Sequence, residues 1–122
     1  MDTKRHVLVV DDEPGIGTIL RFKLQLHGYD VTATTSGTEA IDIIRKKEPD
    51  IVLLDILMPD VTGMDVLDAV RSFSKVPILV ITAKPSILEF AMKLGANGSI
   101  AKPFDPDAIV KKIESVLSST QK

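Results

Sequence analysis

Short aliphatic runs alternate with longer segments of helical period along the whole chain, and that alternation leaves few folds open. HVLVV (6–10), DVTAT (30–34), IVLLD (51–55), ILVIT (78–82) and GSIA (98–101) read as strands. Three of them are almost uniformly apolar, the pattern of a parallel sheet covered on both faces. Between the strands lie five helix signals. The first, 14–27, opens on Pro14, places Ile16, Ile19, Leu20 and Leu24 at helical spacing, and stops at Gly28. The second, 37–48, starts with Ser36 and Glu39 at the spacing of a capping box and cannot continue through Pro49. A third is expected over 64–73, a short fourth over 86–94 ending at Gly95, and a fifth from N-cap Asp105 and Pro106 to about 118. Five βα units in succession imply an α/β fold with right-handed crossovers and helices on both faces of a parallel sheet.

The 122 residues suit one domain, spanning 1–122, with an ordered core over about 5–118 and a polar end, 119–122, that serves as a free tail or the start of a linker. There is no cysteine, which excludes disulfides and thiolate metal sites and is compatible with a cytoplasmic location. No apolar run approaches the ~18 residues needed to span a bilayer. Acidic and basic residues are intermixed at a net charge of −2, so there is no footprint for nucleic acid and none for a membrane surface.

In an open α/β sheet, ligands bind at the carboxyl ends of the strands, near the point where strand order reverses. This chain places Asp11 and Asp12 after the first strand, Asp55 at the end of the third, Thr82 at the end of the fourth and Lys102 after the fifth. The second ends in Thr34 and Thr35. Each has a bland reading, since an Asp after a strand is usually a turn residue or a cap and a Lys before Pro a solvated charge. Asp12 in particular is placed to cap the helix opening at Pro14. Asp55 resists such a reading, because it lies between IVLL and ILM with no turn signal. Three carboxylates at one sheet edge call for a cation. Oxygen donors without Cys or His favour Mg²⁺, with Mn²⁺ as a substitute. Asp55 is then a candidate nucleophile toward phosphorus, with Lys102 neutralising phosphoryl charge and the Thr82 hydroxyl bonding a phosphoryl oxygen.

With VLVVDDEP, DIVLLDILMPDVTGMDVL, VPILVITA and LGANGSIAKPF in order, the whole chain resembles a response-regulator receiver domain, the CheY-like family of two-component signalling. The resemblance implies a flavodoxin-like doubly wound sandwich with a five-stranded sheet in order 2-1-3-4-5. It implies Asp55 as phosphoacceptor, Asp12 as direct Mg²⁺ ligand, Asp11 as ligand through water, and the backbone carbonyl of Leu57 as the third protein ligand. Thr82 matches the switch hydroxyl, Lys102 the phosphate-pairing lysine, and the bond from Lys102 to Pro103 should be cis. The implied donor is a sensor histidine kinase or phosphotransfer protein, and the implied output a downstream protein or a fused effector. The domain would catalyse only its own phosphorylation and dephosphorylation, without being a turnover enzyme.

Two features depart from the family. The position three residues before Lys102, usually Tyr or Phe, is Ser99, and the segment from Thr82 to Gly95 is about two residues short, with Pro85 early in it. Both fall on the readout, so normal phosphorylation read through an altered fourth helix is expected. Matching backbone shifts and an ordered, full-length fourth helix in free and beryllofluoride-bound forms would contradict this. Two rival readings remain: a phosphatase-type hydrolase, against which Leu57 stands where a second acid is needed, and a degenerate receiver that binds partners without phosphorylation.

Lesser features are weighed similarly. Gly15 and Gly17 lack the third glycine of a dinucleotide fingerprint, Leu20 standing in its place. Phe22 and Leu26 lie beyond the core stripe of the first helix, either tucked under loops or forming a docking patch for the phosphodonor. His6 and His27 read as structural, and NGS (97–99) as a chance sequon. Lys111, Lys112 and Glu114 read as the solvated face of the last helix. Glu13 reads as a bystander that favours the dipole of the first helix.

Overall fold

The computed structural model describes residues 4–58 and 61–120, the last two of these by backbone alone. Pro59 and Asp60 of the second motif, and Gln121 and Lys122 of the tail, lie outside the described residues. The order is β1 (His6–Val10), α1 (Pro14–Leu26), β2 (Asp30–Thr34), α2 (Gly37–Lys46), β3 (Ile51–Asp55), α3 (Gly63–Arg71), β4 (Ile78–Thr82), α4 (Pro85–Lys93), β5 (Gly98–Ala101) and α5 (Pro106–Thr120). All five strands pair in parallel in the order β2-β1-β3-β4-β5. The expected flavodoxin-like sandwich and every expected strand boundary are present.

Alternation along the strands divides the core into two layers. Leu8, Val10, Val52, Leu54, Ile78 and Val80 pack with Ala40 and Ile44 of α2, Val66, Leu67 and Val70 of α3, and Ala91 of α4. Val7, Val9, Ile51, Leu53, Leu79 and Ile81 pack on the opposite face with Leu20 and Leu24 of α1 and Ile109 and Ile113 of α5. Burial on both faces explains why these strands read as continuous apolar runs.

The helices differ from expectation at their ends and on one face. Ile19, expected in the core stripe of α1, is 54% exposed, and Phe22 and Leu26 are each 66% exposed. The buried stripe is Gly17, Leu20 and Leu24. It begins with a glycine, where a Cβ would lie 3.2 Å from the Ala33 Cβ of β2. The capping box expected at α2 forms only in half: Ser36 Oγ accepts from the Glu39 N–H at 3.1 Å, but the Glu39 carboxylate turns instead to the Thr34 hydroxyl. A complete box starts α3, where Thr62 Oγ1 accepts from the Asp65 N–H at 3.2 Å and Asp65 Oδ2 accepts from the Thr62 N–H at 3.1 Å. Gly28 and Gly95, at φ 89° and 108°, end α1 and α4 in a backbone conformation that glycine adopts without strain. Ser99 pairs with Val80 in the register, on the sheet face that carries α4. His6 bonds Thr32 across the β1–β2 pair, with Nε2 and Oγ1 2.7 Å apart, a structural role as expected. Lys111, Lys112 and Glu114 are exposed.

Candidate functional site

Parallel strands all deliver their carboxyl ends to one edge, and β1, β3 and β4 are neighbours there. Asp11, one residue past β1, is anchored by its N–H to the carbonyl of Thr34 at 3.1 Å, and its Oδ1 accepts from the Glu13 N–H at 2.9 Å. Asp55 closes β3, where its Oδ1 accepts from the Leu57 N–H at 3.2 Å. Thr82 closes β4; its Oγ1 accepts from the Lys84 N–H at 3.0 Å, and its carbonyl accepts from the Lys102 N–H at 3.0 Å. The Lys102–Pro103 bond is cis, as expected. Asp11, Asp55 and Thr82 are buried, Asp12 half-buried.

The five sequence-predicted side chains therefore share one edge. Carboxylate oxygens of Asp11, Asp12 and Asp55 all lie within 4.8 Å of one another. Lys102 reaches in from β5, with its Nζ 3.1 Å from Asp11 Oδ2 and 3.5 Å from Asp55 Oδ2. Above them opens a cleft of about 270 Å³ lined by Asp12, Glu13, Asp55, Leu57, Ala83 and Lys102. Leu57 contributes its N–H to Asp55, and its side chain is 44% exposed at this cleft.

The electrostatics are unbalanced. Burial, then the charge of Asp11, push the Asp55 carboxyl from 3.8 up to about 6, with Lys102 and the Leu57 N–H opposing only in part. Burial works against the Lys102 ammonium, yet its contacts with Asp11 and Glu13 and the charge of Asp55 carry it up to about 12. A lysine that is protonated throughout the physiological range thus faces more negative charge than it can neutralise. Hard oxygen donors, close convergence and a surplus of negative charge fit a divalent cation such as Mg²⁺.

Two contributors carried no sequence signal. Glu13 is not a bystander: it is the N-cap of α1, makes no capping hydrogen bond, and places Oε1 3.2 Å from Lys102 Nζ. Asp12 therefore does not occupy the cap position. Gly63 at the start of α3 lies against the backbone of Asp55 and Ile56, where a Cβ would stand 2.3 Å from the Asp55 carbonyl oxygen and 2.5 Å from Ile56 Cα. Its N–H also donates to the Ile56 carbonyl at 2.9 Å. Because those neighbours are backbone, they cannot rotate away. Gly63→Ala is expected to destabilise the fold by about 2–3 kcal/mol, read from the urea midpoint at unchanged slope. A loss below about 0.5 kcal/mol would show that the α3 start is not tightly seated.

Comparison with known proteins places these features in company. A family model described as the response regulator receiver domain matches residues 7–114. Among solved structures, chemotaxis protein CheY4 of Vibrio cholerae is 32% identical, with 93% of this chain and 99% of that chain covered at a TM-score of 0.85. A putative response regulator from Chloroflexus aurantiacus is 31% identical, with 95% and 99% covered at a TM-score of 0.89. NtrX from Brucella abortus is 26% identical at a TM-score of 0.88, covering 98% of this chain but 28% of that longer one.

Proposed function

The chain belongs to the response regulator receiver domain family of two-component signalling, and from that premise we propose that Asp55 accepts a phosphoryl group in a Mg²⁺-dependent transfer. The observation that supports this most is the buried Asp55 carboxylate set within 4.8 Å of the Asp11 and Asp12 oxygens and 3.5 Å from the Lys102 ammonium. The donor in this reading is a sensor histidine kinase or phosphotransfer protein, and the modified domain changes its affinity for a downstream protein or a fused effector. A cytoplasmic location belongs to the same reading. Among the described residues, no helix is long and apolar enough to cross a membrane.

An Asp55 carboxylate oxygen attacks phosphorus while the bond from phosphorus to the leaving atom breaks. The leaving group departs with that electron pair, an imidazole from phosphohistidine or acetate from acetyl phosphate. Lys102 meets the phosphoryl oxygens without having to acquire a proton, and the Thr82 hydroxyl turns to donate to one of them. Asp12 and Asp55, with Asp11 acting through water and the Leu57 carbonyl, would hold Mg²⁺, which when bound supplies the positive charge the carboxylates and phosphoryl oxygens lack. Later attack of water on phosphorus regenerates the Asp55 carboxylate and releases phosphate. The domain is thus catalyst and substrate of one reaction, with no turnover on external molecules. New contacts through Thr82 and Lys102 supply the differential free energy that shifts the domain between two packings.

The test is incubation of the native chain with acetyl phosphate and Mg²⁺, followed by intact mass. A gain of one phosphoryl group in the native chain, absent in Asp55→Asn and absent on chelation, is the expected result. No gain in the native chain would support a phosphorylation-independent binding module instead.

A further inference from the structure

Within the opening acidic triplet, Glu13 stands apart. Its carboxylate does not join the Asp11, Asp12 and Asp55 cluster, and its side chain is 65% exposed, yet Oε1 lies 3.2 Å from Lys102 Nζ. The same ammonium meets Asp11 Oδ2 at 3.1 Å, where the Asp11 side chain is wholly buried. Lys102 is thus held from the interior by one carboxylate and from the solvent side by another. Glu13 also lines the cleft onto which Asp55 opens.

We propose that Glu13 is a positioning residue that holds the Lys102 ammonium at the cleft rim and thereby discriminates against small anionic phosphoryl donors. This rests on reading Asp55 as the phosphoacceptor. A free phosphoryl dianion entering the cleft meets the Glu13 charge and must take its place on Lys102. Both penalties apply equally to the bound donor and to the transition state, so they weaken donor binding and leave the maximal rate unchanged. A protein donor escapes the penalty when it sets a basic side chain opposite Glu13, which turns the same carboxylate into an attraction. The rim charge therefore favours transfer from a macromolecular donor over adventitious phosphorylation by metabolites.

The experiment measures initial uptake at Asp55 against acetyl phosphate concentration, with saturating Mg²⁺, in the native chain and in Glu13→Gln at low and high salt. The variant is expected to reach half its maximal rate at about two- to fivefold lower donor concentration, the size of effect one partly screened ion pair can produce, with a maximal rate within about twofold. The difference should shrink at high salt as the rim charge is screened. Glu13→Ser, which gives α1 a capping side chain, must shift in the same sense, so that a weakened helix start is not mistaken for the effect. Equal half-saturating concentrations, or a fall in maximal rate alone, would overturn the role of Glu13 while leaving Asp55 as acceptor. Absence of uptake in the native chain would overturn the acceptor reading, and the role of Glu13 with it.

Discussion

At pH 7 with divalent cations chelated, Lys102→Met is expected to destabilise the domain by about 3 kcal/mol, because it strips a buried carboxylate cluster of its paired cation. Methionine keeps the length and the apolar stem, so the loss reports charge rather than packing. Asp11 and Asp55 have side chains 0% and 4% exposed beside Lys102, and removing the ammonium leaves both without the charge that opposes their repulsion. Two conditions should restore stability. Lowering the pH to about 5 protonates Asp55, whose carboxyl lies at about 6 with the lysine present and moves higher without it. Adding Mg²⁺ supplies the missing charge by binding the folded state. A loss below about 1 kcal/mol, insensitive to both, would mean the carboxylates are solvated well enough to need no cation.

Asp55→Asn is expected to move stability the other way. The Asp55 carboxyl rises from 3.8 to about 6 on folding, so the fold prefers its protonated form. Below pH 4 the group is neutral in both states, and this preference is fully present. Between about 4 and 6 the unfolded chain ionises while the folded one retains its proton, and the preference is lost as pH rises through the folded value. By pH 7 ionised Asp55 costs the metal-free fold about 2–3 kcal/mol relative to its acid form. Asparagine has nothing to ionise, so the variant should be more stable than the native chain at pH 7 by about 2 kcal/mol, with the gap closing toward pH 4. Mg²⁺ should also close the gap, since it stabilises the native cluster more than the variant. Urea titrations at pH 4, 5.5 and 7, with and without Mg²⁺, measure all of this. A variant less stable than the native chain at pH 7 would show that the Asp55 charge is already well compensated.

Together these results would explain an economy visible in the sequence. The fold accepts a locally unfavourable cluster at the position where the proposed function would place a phosphoryl group and a divalent cation. In the proposed function, destabilised charge in the resting state would give those two ligands their leverage over the folded ensemble.

How far the sequence revealed this depends on the range of the interactions. The bounds of β3 and β4 were legible to the residue, because a strand covered on both faces is apolar along its length and Asp55 and Thr82 break the apolar run while still buried. The convergence of Asp11, Asp12, Asp55, Thr82 and Lys102 was legible for the same reason, since parallel strands put equivalent ends at one edge. The face of α1 was harder. A search for apolar side chains finds Ile16 and Ile19, while the point of closest approach is Gly17, which has no side chain to signal burial. The α3 start was obscured because its box uses Asp65 where the usual pattern has Glu or Gln. The ion pair of Glu13 with Lys102 spans 89 positions, and Gly63 closes on the backbone of Asp55 from the start of the next helix. No local pattern encodes either; both depend on where the sheet brings distant loops.

The central claim is that one carboxylate, Asp55, carries the phosphoryl group, and a site-resolved chemical trap tests it most directly. Borohydride cleaves an acyl phosphate and reduces the aspartyl carbon to an alcohol, converting the residue to homoserine. After treatment with acetyl phosphate and Mg²⁺, then borohydride, peptide mapping of the native chain should find homoserine at position 55, with Asp11 and Asp12 unchanged. An unmodified Asp55, with homoserine elsewhere or the phosphoryl group on another residue type, would contradict the account.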